Sequence, residues 1–179
     1  MSTRSFICKE LQDGTYYGIY CHSDGYLSYN GAMLLDHYSD KEKLDKLLAL
    51  GDISSLDINV EPDPTKPHSF DYDKRQAGVV VAYGRDRGET GIEARQISLE
   101  DAQDSWCEYM YILAQDGNWY YYDLHHKEPK LTLVQEYLDK EYAKLGIPRP
   151  KNTYGFFSKE DLLKILSMQT SLEQGEVEM

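Results

Sequence analysis

His22 and Asp24 stand two residues apart in Cys21-His22-Ser23-Asp24-Gly25-Tyr26, where an apolar run gives way to helical patterning. Polar groups at a strand-to-helix corner are held by a rigid scaffold yet stay open to solvent. An unperturbed imidazole titrates near pH 6.5, so His22 and His37 carry the side chains for a base and an acid in phosphodiester cleavage. His22, Asp24 and His37 are therefore the candidate catalytic residues. With Asp36 the same set could ligate a metal, although the spacing matches no metal motif, and no metal or other cofactor is implied. Against both stands a plainer reading, with Asp24 capping the following helix and His22 a hydrogen-bonded corner residue. His22 and His37 are about four helical turns apart, so only tertiary folding brings their rings together.

A second candidate is Gly84-Arg85-Asp86-Arg87-Gly88. A guanidinium fork pairs bidentately with phosphate or carboxylate, and two arginines are conspicuous in an acidic chain. The segment lacks the Gly-Lys-Ser/Thr ending of a phosphate loop; solvation or pairing with Asp86 and Glu89 is the alternative. Ser2, Thr3, Arg4 and Ser5 form a polar arm that could reach over a site or simply fray. His68, Asp71, Asp73, His125 and His126 read as surface residues. Hydrolase elbow, dinucleotide fingerprint and zinc-protease motifs are absent from the sequence.

The elements that must position these residues are legible in outline. Residues 5–11 and 15–21 flank Asp13-Gly14, whose tolerance of positive φ favours a two-residue hairpin turn. That turn sets Cys8 opposite Ile19 and Phe6 opposite Cys21, giving one core face of Phe6, Cys8, Tyr17, Ile19 and Cys21. Lys9, Tyr16 and Tyr20 fall on the other face. Leu27, Gly31, Leu34, Leu35 and Tyr38 recur at helical spacing, and Ser39 with Glu42 fits a capping box for a second helix ending at Gly51. Residues 52–76, with Pro62, Pro64 and Pro67, read as an irregular connection.

Residues 78–83 and 91–99 are expected to pair as strands, which makes residues 84–90 a hairpin loop. Residues 98–104 suggest a helical turn. Asp116-Gly117 joins two aromatic strands, 106–115 and 118–124, whose rings are expected to pack the sheet. Thr132 and Gln135 mimic a capping box before a helix ended by Gly146 and Pro148, and Ser158 caps the last helix. The expected fold is α+β, a mainly antiparallel sheet of about six strands with helices on one face. Residues 1–170 form one domain, 132–169 being a C-terminal helical pair, and 171–179 an acidic disordered tail.

A length of 179 residues fits one domain. The net charge of -12 and sequence pI of 4.8 disfavour strong non-specific binding to nucleic acid or an anionic membrane, which needs clustered cations. No run approaches the length of a membrane span and no secretory leader is read, so a cytoplasmic location is expected. Cys8, Cys21 and Cys107 lack a disulfide or zinc pattern and sit in apolar runs.

The motifs Met1-Ser2-Thr3-Arg4-Ser5, Ile19-Tyr20-Cys21-His22, Asp24-Gly25-Tyr26, Tyr29-Asn30-Gly31, Leu48-Ala49-Leu50-Gly51-Asp52 and Tyr83-Gly84-Arg85-Asp86-Arg87-Gly88 together resemble a family of small bacteriophage and prophage proteins. The similarity covers residues 1–124; Ser23 and Leu27 depart from it where Trp and Pro are common. The final helices and the acidic balance look like streptococcal members, among which are inhibitors of type II-A CRISPR immunity. The resemblance implies a bacterial host cytoplasm, and as partners an effector nuclease and its guide RNA, with truncation of that RNA and a ribonuclease-like activity dependent on the effector as one route. Ser2, Thr3, Arg4, Ser5, Tyr26, Arg85 and Arg87 are then the expected partner- or RNA-binding residues. Two readings from other classes are an acidic nucleic-acid mimic that blocks a DNA site and a small metal-dependent phage enzyme acting on nucleotides.

Overall fold

The structure, a computed structural model, describes the backbone of residues 2–177 and the side chains of residues 2–172. The chain runs β1 (Ser5–Glu10), β2 (Tyr16–Cys21), a π-helical turn (Leu27–Gly31) continuing into α1 (Ala32–His37), α2 (Lys41–Ala49) and β3 (Ile53–Ser55). After a long connection come β4 (Val81–Ala82), α3 (Tyr83–Arg87), β5 (Arg95–Gln96) and α4 (Leu99–Gln103). The rest is β6 (Tyr109–Leu113), β7 (Trp119–Asp123), β8 (Thr132–Leu133), α5 (Val134–Leu145) and α6 (Lys159–Val177). The fold is α+β, as expected, but the sheet is mixed. Its eight strands run β4-β3-β2-β1-β6-β7-β8, with β5 also on β2, and β1·β6 and β2·β3 are parallel.

The first hairpin forms one residue out of the expected register. Ile7 faces Ile19 and Cys8 faces Gly18, because the loop holds three residues, Gln12, Asp13 and Gly14, closed by the Leu11 amide on the Thr15 carbonyl at 2.8 Å. Gly14, at φ +83°, takes the left-handed position that ends a three-residue turn. Gly117, at φ +86°, closes the β6–β7 loop in the same way. A slip of one residue exchanges the faces of a strand. Ile7, Ile19 and Cys21 therefore share one face, packed on Met33, Leu34, Leu44, Leu47 and Leu138 from α1, α2 and α5. Phe6 and Cys8 share the other, with Tyr16 and Tyr20.

That second face is also covered, contrary to the expectation of helices on one side only. Ile97, Ala102 and Cys107, from α4 and its flanks, close over Phe6, Cys8, Met110 and Ile112. The aromatic hairpin packs largely as read: Trp119 is buried with its indole N–H on the Tyr38 carbonyl at 3.3 Å, and Tyr111 donates to the Gly25 carbonyl at 2.6 Å. Trp106, placed by sequence in that strand, precedes it and is 86% exposed. Burial pushes all three cysteine thiols up, Cys107 to about 11 and Cys21 to about 12.

Helix ends differ in detail. Asp40, not Ser39, caps α2, accepting from the Glu42 amide at 2.9 Å, while Ser39 donates to the Leu35 carbonyl. α5 starts from Leu133 with no side-chain cap, whereas Ser158 caps α6 through the Asp161 amide at 3.1 Å. Residues 171–177, read as tail, continue α6; Glu178 and Met179 lie outside the described residues. The 78–99 hairpin does not form. β4 pairs with β3, β5 pairs with β2, and the intervening segment turns into α3.

Gly18 shows how tightly the central strands meet, since a Cβ there would sit 2.1 Å from the Ile7 carbonyl oxygen and 2.7 Å from Cys8 Cα. Backbone atoms cannot step aside as a flexible side chain does. Gly18→Ala is expected to cost about 3 kcal/mol in urea unfolding, the range of core overpacking. Gly14→Ala, where a Cβ meets no atom, costs only the left-handed strain of about 1 kcal/mol.

Candidate functional site

The corner after β2 is built from its backbone outward. The His22 amide donates to the Ile53 carbonyl at 3.1 Å and the Ser23 amide to the Ser54 carbonyl at 3.0 Å, carrying the parallel β2·β3 pairing past the strand. The chain then reverses at Asp24, which holds φ +56°, a left-handed conformation that Asp tolerates better than most residues. The Gly25 amide donates to the Thr3 carbonyl at 2.8 Å, and the Glu108 amide to the Arg4 carbonyl at 2.9 Å. The arm is thus part of the sheet framework from Thr3 on; Ser2 is exposed. Buried Asn30 donates to Ser5 Oγ at 3.3 Å, Cys21 Sγ at 3.4 Å and the Ser23 carbonyl at 3.3 Å, binding arm, strand and corner together. Asp24 acts through its carbonyl, which receives the Asn30 amide, and no side-chain cap forms; burial raises its carboxyl above the usual range.

His22 and His37 belong to separate networks. Tyr20 Oη and His22 Nδ1 lie 2.8 Å apart. His37 Nε2 lies 2.7 Å from Tyr154 Oη, whose proton goes to Asp36 at 2.9 Å, so His37 donates to the phenol oxygen. Arg149 clamps Asp36 through both terminal nitrogens at 2.9 and 2.5 Å. Tyr26 stacks on Phe156 with ring centroids 4.4 Å apart. Among the described residues no group of three His, Cys, Asp or Glu side chains could hold a metal ion.

Arg85 and Arg87, expected at a hairpin tip, ride on α3 with different fates. Arg85 turns inward, donating to the Val60 carbonyl at 2.6 Å, the Val80 carbonyl at 2.7 Å and both oxygens of Asp86 at 2.8 and 3.0 Å. Asp86 also accepts from the Ala82 amide at 2.8 Å and faces His68 Nε2 at 3.3 Å. His68 Nδ1 accepts from the Gln76 amide at 3.0 Å, which puts the ring proton on Nε2, directed at Asp86. The His68 and Asp86 side chains are each 4% exposed, so His68 is an interior brace rather than a surface residue. Gln76 completes the brace by accepting from the Asp63 amide and donating to the Asp63 and Lys66 carbonyls.

Arg87 faces outward. Its guanidinium lies 4.1 Å from the Phe70 ring centroid and 5.0 Å from that of Tyr83, and it pairs with Glu89. Arg75 extends the series, 5.3 Å from Phe70 and 5.6 Å from Tyr72, whose ring is 85% exposed. At the other end, burial pushes the Tyr20 hydroxyl up to about 12, opposed by the charge of Arg4. Asp52 joins Tyr20 to α3, its carboxylate accepting the Tyr20 amide at 2.9 Å and its carbonyl the Tyr83 amide at 3.3 Å, while Arg4 adjoins Ser5, the partner of Cys21 next to His22. Sequence reading missed Phe70, Tyr72, Arg75 and the His68–Asp86 brace. Asp-Tyr-Asp-Lys-Arg at 71–75 is the local signal, its Arg75 lying on the nearby Phe70 and Tyr72 rings, while the contacts that join Phe70 to Tyr83 and Arg87 are made across the fold.

The chain matches no family model, no curated protein and no solved structure.

The brace has an acid-sensitive component. Burial works to raise the Asp86 pKa, but the Arg85 and Ala82 hydrogen bonds and the Arg85 and His68 charges outweigh it and hold the carboxyl below its ordinary value. A depressed folded pKa contributes stability that is fully present above the unfolded value, about 3.9, and lost as pH falls through the folded value. Asp86→Asn is expected to lower stability by about 2 kcal/mol at neutral pH, with a smaller deficit as pH drops below about 4. Urea unfolding of both proteins across that range checks it; a deficit independent of pH would remove Asp86 from the ionised role.

Proposed function

We propose that this protein is a phage-encoded inhibitor that binds the effector nuclease and guide RNA of a type II-A CRISPR system in the cytoplasm of a bacterial host. The class of partner rests on the motif resemblance. The observation that carries a binding role is that the β1·β2 register and Asp52 link Arg4, the Tyr20–His22 pair and the Arg87–aromatic series. A docking surface needs such groups placed by a rigid frame, and the arm is fixed there by the Thr3 and Arg4 carbonyls.

Binding is favoured over intrinsic cleavage of the RNA. Base and acid must both reach the scissile phosphate, whereas His22 and His37 serve separate networks and Arg85 is committed to interior carbonyls and Asp86. Truncation of guide RNA, where it occurs, then depends on the effector complex. A nucleic-acid mimic is less well supported, because acids on α5 alternate with partners such as Lys140 on Glu136 and Lys144 on Glu141. Among the described residues no helix is long and apolar enough to cross a membrane.

The test incubates the purified protein with guide RNA, with and without the effector, and follows RNA length and target-DNA cleavage. Target cleavage is expected to fall, with guide RNA left intact by the protein alone. Undiminished target cleavage together with intact RNA in the complete mixture would sink the proposal.

A further inference from the structure

We propose that Tyr72, Arg75, Phe70 and Arg87 form a receptor for an unpaired nucleotide of single-stranded RNA, with a base on the Tyr72 ring and the adjoining phosphate on Arg75. This deepens the proposed function and rests on it only for which RNA is bound in the cell.

Arg75 joins the two rings of this cluster. Its Nε–H is held by the Phe70 carbonyl at 2.9 Å, and its guanidinium lies against two rings, Phe70 and Tyr72. Both terminal nitrogens lack an acceptor, and the residue lacks a carboxylate partner, among the described residues. In a chain of net charge -12, an arginine fixed in orientation yet unpaired is a pre-formed anion fork. Arg87, held against Phe70 and Tyr83 and paired with Glu89, adds a second guanidinium to the same series of rings. Phe70 and Tyr83 are themselves 5.5 Å apart, so the cations and rings form one ladder rather than scattered contacts.

Tyr72 supplies what an anion fork alone lacks. Its ring is 85% exposed on a short 3-10 turn, residues 72–74, whose approach is fixed by Asp71 amide donation to Ser69 Oγ at 3.2 Å. An exposed ring beside a guanidinium is the pairing that recognises splayed-out bases in single strands, where stacking and phosphate contact act together. The flanking Asp71 and Asp73 set the limit. They repel the dense phosphates of a duplex, so the occupant presents one base and few charges. The Gln76 amide on His68 and the Gln76 side-chain bonds to Asp63 and Lys66 hold the loop that carries the turn.

The test measures binding of the full chain to a short labelled oligouridylate at low salt, beside an RNA hairpin and a polyglutamate peptide. Oligouridylate is expected to bind, the hairpin more weakly, with Tyr72→Ala reducing oligouridylate affinity about tenfold and Tyr72→Phe leaving it within about twofold. Arg75→Lys, which keeps the charge and loses the fork, is expected to weaken it several-fold. Both sites are at the surface turn, and unchanged urea unfolding verifies that the variants are folded. Absence of oligouridylate binding, equal affinity of all variants, or preference for hairpin overturns the proposal. Polyglutamate binding that needs Arg75 but not Tyr72 also overturns it and assigns the fork to a protein carboxylate. Oligouridylate binding that depends on Tyr72 while target cleavage continues unimpaired retains this receptor and retires the inhibitor reading. Inhibition without any oligouridylate binding does the reverse.

Discussion

β1 lies between an antiparallel partner and a parallel one with both of its faces under cover, and the remaining architecture depends on that position. Ile7 and Cys8, consecutive residues pointing to opposite sides, are both fully buried. A strand buried on both faces cannot slip without moving apolar groups from one core to the other, so its register is strongly specified. The parallel pairing with β6 joins the first hairpin to the second, two units separated by about half the chain. From there β2 leads to the corner and β3, and β7 leads to β8 and α5. The N-terminal arm inherits its order from the same strand, since Thr3 and Arg4 continue β1 outward.

The two Asp-Gly turns show how far the sequence reveals this. Both were legible as hairpins. Glycine after aspartate ends either a two-residue or a three-residue loop, because each requires a left-handed residue there, and the dipeptide alone does not count the loop. The three-residue form reversed the assignment of Phe6 and Cys8 relative to Ile19. It also explains why Tyr16 and Tyr20 are half-buried: the strand after the turn lays them against a second core closed by Ile97, Ala102 and Cys107. That cover comes from a segment with little regular structure, which periodicity does not find.

The site was legible as residue types rather than as relations. His22, Asp24 and the arginines were found because their chemistry is visible in the letters. Their partners were not, because each lies far along the chain: Tyr154 for His37, His68 for Asp86, Phe70 for Arg87. Arg85 and Arg87, two residues apart on one short helix, illustrate the gap. One closes a buried network and the other meets solvent, a division made by the Val60 and Val80 carbonyls within reach of Arg85 and not by composition.

The three cysteines carry a consequence of another kind. Each thiol is buried and raised well above its ordinary pKa, so almost none is thiolate at neutral pH, and alkylating reagents act on thiolate. Modification must wait for the chain to open. Cys8 and Cys21 lie on opposite faces of adjoining strands, so their labelling times clock the opening of the two cores separately, while Cys107 times the loosening of the segment laid across the second.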